Sequence, residues 1–107
     1  MALKRKDLLG LRDITRGEIE EILKTAETMK KVVVGPNKKT SHLQGKSIVT
    51  LFYENSTRTR LSFEAAMLNL GGHVLGFPSE NVSSASKGES VADTIRVVSC
   101  YADIVAM

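Results

Sequence analysis

An apolar run rich in β-branched residues, Ile48-Val49-Thr50-Leu51-Phe52-Tyr53, passes directly into a helical pattern that begins near Thr57. Such a run predicts a strand. The helical pattern stops at Gly71-Gly72, and residues 73–77 predict a second strand. A third helix is expected at about 90–101, followed by a third strand at 103–107. The order strand, helix, strand, helix, strand predicts an α/β fold, with a parallel sheet, flanking helices and right-handed crossovers.

Two helices can be outlined further from their patterns. Thr15-Arg16-Gly17-Glu18 is a capping box, and the helix behind it should run for about 16 residues until residues 35–37 end it. Its apolar positions recur at helical spacing and comprise Ile19, Ile22, Leu23, Ala26 and Met29. The second helix should run from Thr57 to about Leu70, and its inward-facing positions are expected to be Leu61, Phe63, Ala65, Ala66, Leu68 and Leu70.

The junction between the first strand and the second helix concentrates groups that bind anions. It reads Ser56-Thr57-Arg58-Thr59-Arg60. Free backbone N–H groups and the helix dipole favour negative charge at a helix N-terminus. The Arg58 guanidinium matches phosphate oxygens two at a time. A well-capped helix with surface arginines is the alternative, but two cations at the positive end of the dipole are unfavourable unless an anion is bound there. The junction therefore predicts a phosphate site.

Length and composition restrict the class of protein. The 107 residues suit one small domain, and 42% hydrophobic with 25% charged residues is typical of a soluble globular protein. No apolar run is long enough to span a membrane, and no secretory signal begins the chain. Cys100 is the only cysteine, is expected to be buried, and indicates a reducing, cytoplasmic setting.

The net charge of +3 is unevenly distributed. Residues 1–46 contain 11 Lys and Arg against 6 Asp and Glu, whereas residues 47–107 contain 4 against 6. The basic residues alternate with Glu20, Glu21 and Glu27 at helical spacing, which favours a solvated helix face over a nucleic-acid surface. With three Phe, two Tyr and no Trp, stacking on nucleic-acid bases also has little support.

Two sequence blocks together resemble a known family. The first is the strand end and helix start, residues 52–64, which resemble the carbamoyl-phosphate motif of the transcarbamoylases. The second runs from Ser83 through Lys87-Gly88-Glu89-Ser90 to Ile95 and looks like the catalytic loop of the aspartate carbamoyltransferases. Without this resemblance, Lys87 would be taken for a solvated lysine, and Glu54 would fit a surface charge as well as an orienting group. The resemblance spans essentially the whole chain but about a third of a full family member.

The resemblance implies a role for particular residues. Ser56, Thr57, Arg58 and Thr59 would grip carbamoyl phosphate; Arg58 would neutralise the departing phosphate, and Thr59 would also reach the carbonyl oxygen. Ser83 and Lys87 would enter the site of a neighbouring subunit, where Lys87 would contact both carbamoyl phosphate and aspartate. Glu54 would take part in interdomain contacts. Arg58, Thr59 and Lys87 are thus the expected catalytic residues, and no metal or other cofactor is implied.

The resemblance also implies the fold and the reaction. Residues 1–107 would form an incomplete carbamoyl-phosphate domain of the transcarbamoylase fold, without the aspartate-binding domain, so the chain alone is expected to be inactive. The reaction would transfer a carbamoyl group from carbamoyl phosphate to L-aspartate in pyrimidine biosynthesis. A homotrimer with shared sites is implied, and a regulatory chain is left open. The alternatives are ornithine or a related carbamoyltransferase, and a non-catalytic anion-binding or assembly fragment.

Overall fold

The computed structural model describes residues 3–52, 57–76 and 91–107. The chain divides into two compact units, residues 1–38 and 39–107. The first unit contains one helix, and the second contains a sheet with helices. In chain order the elements are α1 (Arg16–Val33), β1 (Ser47–Thr50), α2 (Thr57–Asn69), β2 (His73–Leu75), α3 (Val91–Val98) and β3 (Ile104–Ala106). The predicted order of strands and helices is confirmed.

Helix α1 begins with the predicted capping box. The Thr15 hydroxyl accepts from the Glu18 amide at 3.1 Å, and the Glu18 carboxylate accepts from the Thr15 amide at 2.9 Å. Arg5 donates to both Glu18 oxygens, each at 2.8 Å. This hydrogen bond from Arg5 lowers the pKa of Glu18 to about 2, and the Thr15 amide adds to the effect. The carboxylate therefore connects the N-terminal segment to the first turn of the helix.

The second unit is built on a three-stranded parallel sheet with the order β2-β1-β3. Val49 lies opposite Leu75 on one side and Val105 on the other. The central strand is the most buried, with Ile48, Val49 and Thr50 each no more than 4% exposed. Pairing continues one residue past β1, because the Leu51 amide donates to the Ala106 carbonyl at 2.7 Å. A parallel strand covered on both faces explains the continuous apolar run of the sequence.

Helices α2 and α3 cover opposite faces of β1. Val49 and Leu51 pack with Val98 of α3 in the apolar core. Thr50 lies between them in sequence, and its hydroxyl donates a hydrogen bond to the carboxylate of Glu64 on α2. Because successive strand residues point to opposite faces, α2 and α3 lie on different sides of the sheet. This arrangement follows from right-handed crossovers that leave β1 toward β2 and then return past it to β3.

Some predicted burial was wrong. Met67 is the buried residue of α2, and it contacts Gly72 so closely that a Cβ there would lie 2.7 Å from the Met67 methyl carbon. Leu61 and Leu68, both expected to face inward, are each 52% exposed. At about 100° per residue, they lie at one edge of the helix face that carries Glu64 and Met67, where the sheet does not cover them. The apolar residues of α2 therefore do not form one sheet-facing stripe.

A further expectation about burial was also wrong. Cys100, expected to be buried, is exposed, with its thiol 3.5 Å from the Arg96 carbonyl oxygen. It lies in the turn after α3, beyond the helical residues that contact the sheet. None of the 18 residues of α1, all of them described, is buried. Within the described ranges, no helix combines the length and the apolar character needed to cross a membrane.

Candidate functional site

The predicted anion-binding junction lies at the carboxyl end of the central strand. Strand β1 ends at Thr50, and α2 begins seven residues later at Thr57. From β1 the chain crosses to β2 on one side and later reaches β3 on the other. In open parallel sheets, ligands bind beyond the carboxyl ends of the strands where the chain direction switches in this way. The sheet topology thus brings the N-terminus of α2 to the switch point between β1 and β3.

The first turn of α2 presents three of the predicted site residues to solvent. Thr57, Arg58 and Thr59 are all exposed. The amide groups of a first helical turn have no partner within the helix, and they coincide with the positive end of the dipole. Hydroxyl, guanidinium and amide donors therefore share one helical turn that is open to solvent. The phosphate-binding roles of Thr57, Arg58 and Thr59 stay predictions.

Arg60 differs from Arg58 in its surroundings. Its side chain is half-buried, and its Nε has no hydrogen-bond partner among the residues that the structure describes. Two residues along a helix correspond to about 200°, so the two guanidinium groups leave the helix on different sides. The sequence predicted a phosphate contact for Arg58, and it indicated for Arg60 only a second cation near the start of the helix. The structure makes Arg58 the more accessible cation of the two.

Two contacts join the end of β1 to helix α2. Thr50 Oγ1 donates to Glu64 Oε2 at 2.8 Å, and the rings of Phe52 and Phe63 have centroids 6.1 Å apart and planes tilted by 36°. The sequence analysis assigned no function to Thr50 or Glu64. The Thr50 hydroxyl within an otherwise apolar run could have indicated this contact, because a buried polar group needs a hydrogen-bond partner.

The remaining predicted site residues, Glu54, Ser56, Ser83 and Lys87, lie outside the described residues. Their roles stay predictions. Among residues 3–52, 57–76 and 91–107, no group of three or more His, Cys, Asp or Glu side chains is placed to hold a metal ion.

Comparison with known proteins shows the family of this chain. The family model for the aspartate/ornithine carbamoyltransferase carbamoyl-phosphate-binding domain matches residues 6–107. The chain belongs to the aspartate/ornithine carbamoyltransferase family. The matching domain is the carbamoyl-phosphate-binding one, as the strand–helix motif indicated. The resemblance drawn from the sequence is confirmed, together with the parallel α/β fold.

Individual members of the aspartate/ornithine carbamoyltransferase family are similar over nearly the whole chain. The aspartate carbamoyltransferase catalytic subunit of Lachnoclostridium phytofermentans is 59% identical over 102 residues, which are 95% of this chain and 32% of that protein. The catalytic subunit of M. jannaschii aspartate transcarbamoylase superposes with a TM-score of 0.83 at 48% identity, covering 94% of this chain and 33% of that one. The chain thus spans about a third of the length of these relatives.

A third family member was solved with ligands. The aspartate transcarbamoylase of Trypanosoma cruzi, in complex with carbamoyl phosphate and aspartate, has a TM-score of 0.74 and is 38% identical. The similarity covers 86% of this chain and 28% of the T. cruzi chain. At this identity the likeness extends beyond the general architecture of the fold.

Proposed function

We propose that this chain forms the carbamoyl-phosphate-binding part of an aspartate carbamoyltransferase catalytic chain. The reaction transfers the carbamoyl group of carbamoyl phosphate to the amino group of L-aspartate and yields N-carbamoyl-L-aspartate and phosphate. The observation that carries the proposal is the exposed first turn of α2, with Thr57, Arg58 and Thr59, at the switch point of a parallel sheet. The family match over residues 6–107 supports it.

In the proposed mechanism the chain acts through preorganised donors. The aspartate amino group attacks the carbamoyl carbon, a tetrahedral oxyanion forms, and the C–O bond to phosphate breaks. Ser56, Thr57, Arg58 and Thr59 bind the phosphate group, Arg58 neutralises its growing charge, and Thr59 also reaches the carbonyl oxygen. Each charge-assisted hydrogen bond of this kind contributes about 1.5–3 kcal/mol. No metal or organic cofactor is required by this chemistry.

The proposal includes residues from a neighbouring subunit. Ser83 and Lys87 would complete the site of an adjacent copy in a homotrimer, with Lys87 contacting both substrates, and Glu54 would take part in interdomain contacts. These assignments rest on the sequence motif of the family. The assembly would be cytoplasmic, and whether a regulatory chain joins it is left open.

Aspartate is the proposed acceptor in preference to ornithine. The relatives from L. phytofermentans and M. jannaschii both carry the aspartate name. The T. cruzi relative was solved with aspartate beside carbamoyl phosphate. The block around Lys87 also has the aspartate-type pattern. A chimaera in which residues 6–107 replace the corresponding third of the M. jannaschii catalytic subunit tests whether these residues, with the block around Lys87, support transfer to aspartate. We expect carbamoyl-aspartate; a folded and assembled chimaera that forms none would overturn the choice of acceptor.

Calorimetry on the chain itself tests the binding half of the proposal. Titration with carbamoyl phosphate should show saturable binding that inorganic phosphate competes away, since both ligands place the same oxyanion at the α2 N-terminus. Chloride at equal ionic strength separates a built site from general charge attraction. If carbamoyl phosphate binds no better than chloride at equal ionic strength, the phosphate-site assignment is wrong.

A further inference from the structure

Glu64 lies on α2 in the turn that follows the proposed phosphate-binding residues. Its Oε2 accepts a hydrogen bond from Thr50 Oγ1 at 2.8 Å. Thr50 is the last residue of β1 and is 1% exposed, so its hydroxyl has no access to water. A buried hydroxyl that lost this acceptor would be left unsatisfied. The bond therefore fixes one point of α2 against the carboxyl end of the central strand.

Apolar packing holds α2 in place only weakly. Met67 is its one buried residue, and it lies in the last turn, near Gly72. Closer to the N-terminus, Leu61 is 52% and Phe63 is 46% exposed. Apolar contacts are non-directional and leave rotation and sliding of a helix poorly determined, whereas a hydrogen bond requires a defined distance and angle. Thr50 and Glu64 supply the directional contact near the functional end of α2.

The geometry points to Glu64 as a positioning residue for the phosphate site. We propose that its hydrogen bond with Thr50 sets the distance between the end of β1 and the first turn of α2, and so aligns the donors of Thr57, Arg58 and Thr59. The tilted ring pair of Phe52 and Phe63 makes a second contact between the end of β1 and α2. This inference rests on the proposed function, because it concerns the same site. Displacement of about 1 Å in such donors can cost two orders of magnitude in rate.

Four substitutions separate positioning from a general effect on stability. Thr50→Val keeps the shape and removes the hydroxyl, whereas Thr50→Ser keeps the hydroxyl. Glu64→Ala removes the acceptor, whereas Glu64→Gln keeps an amide oxygen that can accept. Val49→Ala is the matched control: Val49 is the preceding residue of the same strand, is also buried, and packs with Val98 of α3. It should destabilise the unit without moving α2.

The first measurement is the affinity for carbamoyl phosphate, with unfolding midpoints recorded beside it. Thr50→Val and Glu64→Ala should each weaken binding by roughly tenfold, about the effect of one lost hydrogen bond. Thr50→Ser and Glu64→Gln should bind carbamoyl phosphate with nearly the affinity of the unaltered chain. Val49→Ala should lower the unfolding midpoint and retain the affinity. Unchanged affinity in Thr50→Val and Glu64→Ala, or an equal loss in Val49→Ala, would overturn the positioning role.

The second measurement does not depend on a ligand. In ¹H–¹⁵N NMR spectra, Thr50→Val and Glu64→Ala should change the chemical shifts of the Thr57, Arg58 and Thr59 amides, while Val49→Ala should leave those shifts unchanged. Amides that are insensitive to the loss of the Thr50 hydroxyl would overturn the inference. If the unaltered chain fails to bind carbamoyl phosphate while these amides respond as expected, the proposed function is refuted and the positioning of α2 by Glu64 is upheld.

Discussion

Asp103 holds the amino ends of β1 and β3 together through Ser47. The Asp103 carboxylate accepts from the Ser47 amide at 2.9 Å, and the Asp103 amide donates to the Ser47 carbonyl at 3.0 Å. The two residues stand 56 positions apart in the sequence. This reciprocal pair begins the ladder that continues to Thr50 and Ala106. It therefore sets the register of the switch point at the opposite end of the strands.

Replacing Asp103 should destabilise the sheet without touching the phosphate site. Asp103→Ala removes the acceptor for the Ser47 amide and should lower the free energy of unfolding by about 0.5–1.5 kcal/mol in urea denaturation. Asp103→Asn keeps an oxygen acceptor and should lower the free energy of unfolding by less. Equal stability of the alanine and asparagine variants would mean that the side-chain bond contributes nothing.

Two separate features of the structure exclude a side chain at Gly71. Its φ is +88°, and a Cβ would lie 2.9 Å from the Thr40 carbonyl oxygen. Gly45 has φ +84° with open space around it, and Gly76 has neither constraint. In thermal unfolding, Gly45→Ala should lower the free energy of unfolding by about 1–2 kcal/mol, and Gly71→Ala should lower it by more. Gly76→Ala should have a smaller effect than either. A smaller loss at Gly71 than at Gly45 would contradict the close approach to Thr40.

The contact between Arg5 and Glu18 should make the N-terminal unit sensitive to acid. The pKa of Glu18 is lowered from its ordinary 4.5 to about 2, chiefly by the hydrogen bond from Arg5. A carboxyl whose pKa is lower in the folded state stabilises that state above its unfolded pKa. This contribution should fall away as the pH drops from about 4.5 to about 2.

Carboxyl ¹³C NMR titration of Glu18 checks this expectation directly. Arg5→Gln should return the pKa of Glu18 toward its ordinary value. Arg16→Gln is the control, since Arg16 pairs with Glu20 on the exposed helix surface. A Glu18 carboxyl that titrates near 4.5 with Arg5 intact would show that the ion pair does not form in solution.

Arg58 should dominate the affinity of the proposed site. Arg58→Ala removes a charge-assisted contact of about 1.5–3 kcal/mol and should weaken carbamoyl-phosphate binding by roughly ten- to a hundredfold in calorimetry. The fold should persist, because the side chain is exposed. Arg96→Ala is the control, since that exposed arginine on α3 pairs with Asp93. Similar binding losses in both variants would indicate bulk charge in place of a specific site.

The proposed sharing of sites between subunits predicts complementation. In the chimaera with the M. jannaschii catalytic subunit, Arg58→Ala and Lys87→Ala homo-oligomers should each be inactive. Mixing them under conditions that exchange subunits should restore part of the activity, because a hybrid can contain a site with neither substitution. Activity that stays at the level of the separate variants after demonstrated exchange would place both residues in the same subunit's site.

Local sequence signals determined the start of α1, the order of β1 and α2, and the family of the chain. The capping box at Thr15 and Glu18 predicted the start of α1, because both groups are three residues apart and need no distant partner. The change from an apolar run to a helical pattern predicted β1 followed by α2, and hence the exposed first turn with Arg58. The motif at residues 52–64 predicted the family, which the match over residues 6–107 confirms.

Tertiary structure decided what depends on residues far apart in the chain. The order β2-β1-β3 places the motif at a switch point, and it results from which strands pair. The exposure of Leu61 and Cys100, the burial of Met67 and the contact of Thr50 with Glu64 all depend on how each helix rotates onto the sheet. Residue type and spacing fix local hydrogen bonds and periodicity, but packing between elements selects the face that is buried.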